Sequence, residues 1–381
     1  MLCQMIRDGD RWRCTVCQLP TRVAHDRPPL RRCTGDAHAS HRTSSTPRQA
    51  NRQTPCPHRR QPDASVDHVD VERHILQIPY HAVSKTIAAV ACYFNPHRSR
   101  SRKQALCPFV RQLDPLGLDL YTIEGSLDAR WDIPYGPTAN RVHIDLAAAM
   151  FHKEALVNIA ITRLPDKYEK VLWIDSDVIM LAHDYVDQLT DALTKHRVVH
   201  AFSELQYLGP RNEPQTGWRS GVGYRNWQQG TKSANPHQAY PGLAWAADRQ
   251  LLAEIGGLYD RCITGGGDVA WSCAVYGDNH VPYTKHWSPA LIADVLAYSS
   301  RVYPLVPSVG YVQARGVHLY HGRLSSRRYV ERNQMLGREQ FDPHRDLTYA
   351  ANGTLRWSDQ ASPALIASVA DYIHGRKEDE R

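Results

Sequence analysis

The chain has 381 residues, 42% of them hydrophobic and 22% charged, which excludes disorder throughout and suits one large domain with an appendage. Its formal charge of +7 is unevenly placed: residues 1–60 hold twelve Arg, no Lys and four Asp, a local +8 that leaves about −1 for the rest. The longest apolar run, 87–94, is far short of the roughly 18 to 20 residues that cross a bilayer, and the first residues lack a signal-peptide core, so a cytoplasmic protein with no membrane contact is expected.

Cys3, Cys14, Cys17, Cys33 and Cys56, five of the nine cysteines, fall in the basic head. Cys14 and Cys17, with two residues between them, put two thiolates on one tight turn, the usual first half of a tetrahedral zinc site. Cys33 is the candidate third ligand and His38 the fourth, with His41, Cys56 or Cys3 as substitutes. A segment over 1–42 with so few apolar residues cannot bury a core, and bound Zn²⁺ would explain how it folds. Cys92, Cys107, Cys262 and Cys273 are scattered, so reduced thiols are expected. Residues 43–73, rich in Ser, Thr, Pro, Arg, His and Gln, read as a flexible basic linker. A catalytic domain is expected over 74–345 and a C-terminal tail or helix over 346–381.

Within that domain, residues 86–94 form a buried strand stopped by Asn95-Pro96, and 118–124 a second. Between 145 and 162, Met150, Glu154, Val157 and Ile161 share one helical face, and Leu164-Pro165 ends the helix. Residues 170–174 are a near-continuous apolar strand, Val186, Leu189 and Leu193 lie at helical spacing, and 198–203 is another strand. This alternation predicts an α/β fold with a mainly parallel sheet covered by helices on both faces, and ligands bound beyond the carboxyl ends of its strands.

The strand at 170–174 runs into Asp175-Ser176-Asp177. Two carboxylates spaced by one residue at the rim of a sheet offer hard oxygen ligands to Mg²⁺ or Mn²⁺ and leave positions open for phosphate oxygens. An isolated Asp-x-Asp also serves as a turn or helix cap; the buried strand before it favours the metal.

Lys153-Glu154-Ala155-Leu156-Val157-Asn158, Leu164-Pro165 and the run 168–177, in that order, resemble the nucleotide-sugar-dependent glycosyltransferases with the fold called GT-A. So do Ala244-Trp245-Ala246-Ala247-Asp248-Arg249, the run 255–260 and Gly265-Gly266-Gly267-Asp268, and then Val317-His318-Leu319-Tyr320-His321-Gly322. The likeness covers roughly residues 84–340. It implies a divalent ion bridging the diphosphate of a UDP-sugar, with UDP-glucose the commonest choice. The ion would be held by Asp177, by Asp175 directly or through water and the ribose, and by one late histidine, His321. If the late strand is regular, His318 projects to its other face and is a packed core histidine.

By the same resemblance Asn95, Lys153 and Asn158 face the nucleotide, and Arg323 or Arg327 contacts the diphosphate. Asp268, behind three glycines, would be the base for the acceptor hydroxyl; the alternative is an N-cap for a helix starting near Val269. Trp218 and Trp245 could stack on a sugar or a base.

The zinc-knuckle-like head, the basic linker and the stretch Arg98-Ser99-Arg100-Ser101-Arg102-Lys103 suit an anionic polymer. The favoured acceptor is therefore a hydroxymethylated base in DNA, as for some bacteriophage enzymes, in a bacterial or phage-infected cell. A polysaccharide or protein acceptor is the alternative. A haloacid-dehalogenase-like phosphatase also matches Asp175-Ser176-Asp177-Val178, but Gly277-Asp278 lacks the second downstream Asp that such a site needs.

Overall fold

A computed structural model describes residues 69–278 and 284–380, together with the backbone of a hairpin formed by β1 (Met5–Asp8) and β2 (Arg11–Cys14). The expected zinc ligands Cys17, Cys33 and His38 lie outside the described residues, as do the side chain of Cys14 and the linker up to residue 68. Helix α1 (Val71–Gln77), capped by the Asp70 carboxylate on the Arg73 N–H at 3.0 Å, buries Val71 and Ile75 in the core.

Strand β3 (Ile87–Phe94) is buried along nearly its whole length. Asn95 closes it by accepting from the Ser99 N–H at 2.8 Å and donating to the Ser99 carbonyl at 3.0 Å, which sets the turn into α2 (Arg100–Leu113). Strands β4 (Asp119–Ser126) and β5 (Ala139–His143) follow, each parallel to the one before. The single helix expected over 145–162 is two pieces: a 3-10 turn at Leu146–Ala148, capped by Asp145, and α3 (Lys153–Thr162). Between them the fully buried His152 turns back onto the Ala148 carbonyl at 3.0 Å.

Strand β6 (Lys170–Ile174) lies parallel to β3. Its Val171 and Trp173 enter the core on the α3 side, while Leu172 and Ile174 enter the core on the α2 side. The chain continues through β7 (Val178–Met180), α4 (Tyr185–Lys195), β8 (Val198–His200) and β9 (Glu204–Tyr207). The strand expected over 198–203 therefore stops at His200, because the chain leaves one sheet there and enters another. Next come β10 (Arg219–Ser220), α5 (Val222–Gln229), β11 (Ala244–Asp248), α6 (Arg249–Glu254), α7 (Gly267–Tyr276) and α8 (Pro289–Val302). The last elements are β12 (Val309–Tyr311), β13 (Arg315–His318), α9 (Tyr329–Arg338), α10 (Pro343–Asp346), the hairpin β14 (Leu347–Tyr349) and β15 (Leu355–Trp357), and α11 (Pro363–His374).

The main sheet has seven strands in the order β12-β8-β11-β6-β3-β4-β5. It is mainly parallel, as expected; β11 alone runs against its neighbours β6 and β8. A second sheet, β10-β9-β13-β7, has four strands. The stretch after 345 is no loose tail: Leu365, Val369, Tyr372 and Ile373 of α11 belong to the same core as α3 and α7. Among the described residues no helix is long and apolar enough to cross a membrane.

Candidate active site

Because β6 ends at Ile174 and β7 starts at Val178, Asp175-Ser176-Asp177 is the joint between the two sheets. Backbone hydrogen bonds fix it. The Asp175 N–H donates to the Leu243 carbonyl at 2.8 Å, that of Val178 to the Asp175 carbonyl at 3.1 Å, and that of Leu319 to the Asp177 carbonyl at 2.8 Å. Antiparallel pairing of β13 with β7 sets His318 opposite Val178, which brings its Nε2 to 3.4 Å from Asp177 Oδ1. His321 Nε2 lies 3.1 Å from Asp177 Oδ2. All three residues are buried, with candidate ligand atoms within 4.8 Å of one another. The expectation that His318 turns away is corrected: alternation holds only within a strand, and the strand stops at His318, so His321 is free of it.

Asp177 Oδ1 and the Nδ1 atoms of both histidines have no hydrogen-bond partner. Arg327 Nη2 also approaches His321 Nε2 at 3.0 Å, so this nitrogen lies between a guanidinium and the Asp177 carboxylate. Burial lowers His318 to about 3 and His321 to about 4, so both are neutral at pH 7. Burial would raise the Asp177 carboxyl, but His318, His321 and Arg102 hold it well below the usual carboxylate range. One carboxylate and two imidazoles fit a divalent ion, and of the two expected ions they favour Mn²⁺, since imidazole is a poor ligand for Mg²⁺.

Asp175 belongs to a neighbouring cluster. Lys153 Nζ lies 2.9 Å from Asp268 Oδ1, 3.3 Å from Asp175 Oδ1 and 3.5 Å from Glu154 Oε1. Burial would lower this ammonium, but Asp175, Asp268 and Glu154 hold it well above its ordinary value. Burial raises Asp175 to about 6 and Glu154 to about 7, against the opposing pull of Lys153. Asp268 lies in the first turn of α7, whose N-cap is Gly266, so the N-cap alternative does not hold. A Cβ on Gly242 would lie 2.3 Å from the Asp268 carboxyl, and one on Gly267 the same distance from that of Glu154. Cys92, Lys153, Trp173, Asp175, Asp268 and Trp271 line a cleft here.

The other expected donor-site residues lie elsewhere. Asn95 is committed to the turn before α2, and Asn158 bonds both the N–H and the carbonyl of Leu258 at 2.8 Å, so each holds backbone rather than facing a ligand. Arg323 is exposed at the start of a 3-10 turn, whereas Arg327, stacked over Tyr207 at 5.4 Å, is the arginine that reaches His321. The basic stretch at 98–103 is not an open loop: Arg98 pairs with Asp128, Lys103 with Asp132 at 2.9 Å, and Arg102 with Glu378. Trp245 is 1% exposed and donates to the Pro241 carbonyl at 2.9 Å, which leaves no face for a sugar. Asp278 accepts from the Ala234 N–H at 2.8 Å, apart from the Asp177 cluster.

Sequence reading placed Glu154 only on a helical face and Arg102 only in a basic stretch, and it missed Tyr207, whose ring stacks on His318 at 4.2 Å. A carboxylate on the apolar face of α3 was a usable signal for Glu154. The pairing of Arg102 had no such signal, since its partner is 276 residues away.

No family model and no curated protein matches this chain. Several solved structures do. They include the catalytic domain of Drosophila beta-1,4-galactosyltransferase 7 with xylobiose, at 12% identity and a TM-score of 0.29, covering 51% of this chain and 63% of that one. A mutant of that domain with manganese, UDP-Gal and xylobiose gives 12% identity, a TM-score of 0.30 and the same coverage. A third is 4-diphosphocytidyl-2C-methyl-D-erythritol synthase from Anaerococcus prevotii, at 12% identity and a TM-score of 0.29, covering 60% of this chain and 87% of that one. This chain thus spans less than two thirds of the galactosyltransferase domain, and likeness of this degree carries no argument about its activity.

Proposed function

We propose that the chain is a metal-dependent glycosyltransferase that moves a sugar from a nucleotide diphosphate, a UDP-sugar, to a hydroxyl acceptor. The observation that carries the reading is the meeting of Asp177, His318 and His321 at the joint after β6, beside the Lys153–Asp268 cluster. Bound there, a divalent ion supplies neutralisation of the charge that builds on a departing diphosphate. Arg327, beside His321, adds positive charge on the same side. Lys153 holds the Asp268 carboxylate in place from 2.9 Å. As the acceptor oxygen bonds to the anomeric carbon and the bond to the diphosphate breaks, Asp268 takes the hydroxyl proton. A base in that role belongs to an inverting transfer. Glu154, pushed up to about 7 by burial, lies 3.5 Å from the same ammonium.

For the acceptor we favour a hydroxymethylated base in DNA, reached by flipping it out of the duplex. What supports this is the +8 charge of residues 1–60; the pairing of Arg98, Arg102 and Lys103 removes the second basic stretch from that case. A mass-spectrometric screen of nucleotide sugars with modified DNA, glycans and Mn²⁺ tests both levels. The expected result is Mn²⁺-dependent transfer that Asp177→Asn reduces at least about 1000-fold. Turnover indifferent to chelator would overturn the metal reading, and transfer to glycan alone would overturn the DNA acceptor.

A further inference from the structure

After α11 the chain returns to the site as a strap, residues 376–380. Arg102 donates to the Glu378 carboxylate as a fork, through Nη2 to Oε1 at 3.0 Å and through Nε to Oε2, and Arg376 pairs with the same carboxylate at 2.9 Å. The Asp379 carboxylate accepts the backbone N–H groups of Arg100 and Ser101, both at 2.9 Å, and the Ser99 hydroxyl at 2.8 Å. The Ser101 hydroxyl donates to the Glu378 carbonyl at 2.6 Å, and that of Tyr320 to the Glu380 carbonyl. Gly322, next to His321, shows how close the strap lies: a Cβ there would come within 2.8 Å of Glu378 Cα and of the Lys377 carbonyl oxygen. Burial would raise Glu378, but Arg102 and Arg376 hold it at about 2, so it is ionised throughout the working range. Arg102, the cation that the strap engages, is near enough to the Asp177 carboxylate for their charges to interact, and the strap itself packs on Gly322 beside His321.

We propose that the strap is a built-in competitor of the diphosphate: its carboxylates occupy the groups that would bind phosphate oxygens beside Asp177, and the donor must displace them. This rests on the reading of the site as one for a metal and a diphosphate. A guanidinium fork engages a carboxylate and a phosphate in the same bidentate way, so exchange on Arg102 replaces like with like. A strap left in place would set the buried charge of Glu378 against those of the incoming ligand where solvent screens little, while the exposed Asp379 adds a weaker, screened repulsion. The donor then binds with its affinity reduced by the fraction of chains whose strap is open.

The test compares the full chain, the double variant Glu378→Gln/Asp379→Asn, and a chain ending at Gly375. Inorganic pyrophosphate is titrated by calorimetry with and without Mn²⁺, and amide exchange is followed over 376–380. With a strap open about one tenth of the time, pyrophosphate is expected to bind the double variant about ten-fold more tightly, and its binding to the full chain to speed exchange of the strap about as much. Equal or weaker binding by the double variant overturns the proposal, and so does slower strap exchange on binding, the mark of a closing lid, or an absence of pyrophosphate binding in all three chains. The double variant keeps α11 whole, so misfolding of the shortened chain does not decide the question. Mn²⁺ binding to the ligand-free chain, read by electron paramagnetic resonance, reports on the metal site separately, while the metal-free titration still tests the strap.

Discussion

Asp175 and Asp177 are two residues apart and sit in opposite electrostatic surroundings. Asp177 faces two imidazoles and a guanidinium and stays a carboxylate, while Asp175 shares Lys153 with Asp268 and Glu154 and is pushed up to about 6. Asp177→Asn is therefore expected to weaken Mn²⁺ binding by about 100-fold or more, and His318→Ala and His321→Ala by about ten-fold or more each, measured by electron paramagnetic resonance. An effect of His321→Ala alone would restore the view that His318 is only a core residue. His200 is the contrasting case of burial without a ligand role. It has no exposure, accepts from the Gly223 N–H at 3.2 Å and faces the Gly242 carbonyl at 3.1 Å, and burial lowers it to about 4. Between pH 6.5 and about 4 the unfolded chain takes up a proton that the folded one refuses. This contribution to stability is thus lost as pH falls through that window, by about 3 kcal/mol in full. His200→Gln should flatten the fall of the urea midpoint from pH 7 to pH 4; an unchanged slope would contradict the burial argument.

At the scale of the element, β6 delivers the acidic pair, and it is apolar on both faces because helices cover the sheet on both sides. Leu172→Ala, at a fully buried position, is expected to cost about 2 to 5 kcal/mol in urea unfolding while Mn²⁺ still binds the folded fraction. A loss below 1 kcal/mol would mean the strand end is held by other contacts. Strands β3 and β6 were legible because unbroken apolar runs bounded by Pro or Asp have few other readings. Strand β11, Ala-Trp-Ala-Ala-Asp, was not: buried along its length, it shows no alternation, and its antiparallel direction is set by partners far along the chain. The break before α3 was missed for a local reason, since Met150 and Phe151 continue the apolar pattern even though the backbone does not continue the helix.

At the scale of the molecule, the two large hydrophobic cores among the described residues draw on the stretch from Val71 to Ile373, whereas the positive charge is concentrated in the first sixty. Removing residues 1–68 is expected to leave the thermal transition and Mn²⁺ binding in place while weakening binding to duplex DNA and reducing its salt dependence. Equal DNA affinity with and without the head would remove the case for a polyanionic acceptor. The sequence by itself determined the alternating α/β plan and the strand that leads into Asp175 and Asp177, because both follow from local apolar spacing and a charged stop. Only the tertiary structure decided that His318 joins His321 on Asp177, that Arg327 rather than Arg323 stands beside them, and that Glu378 holds Arg102. The first and last depend on how strands pair and where the segment after α11 returns, contacts across more than a hundred residues that leave no trace in local periodicity, while the 3-10 turn at Leu324–Arg327 decides which arginine reaches His321.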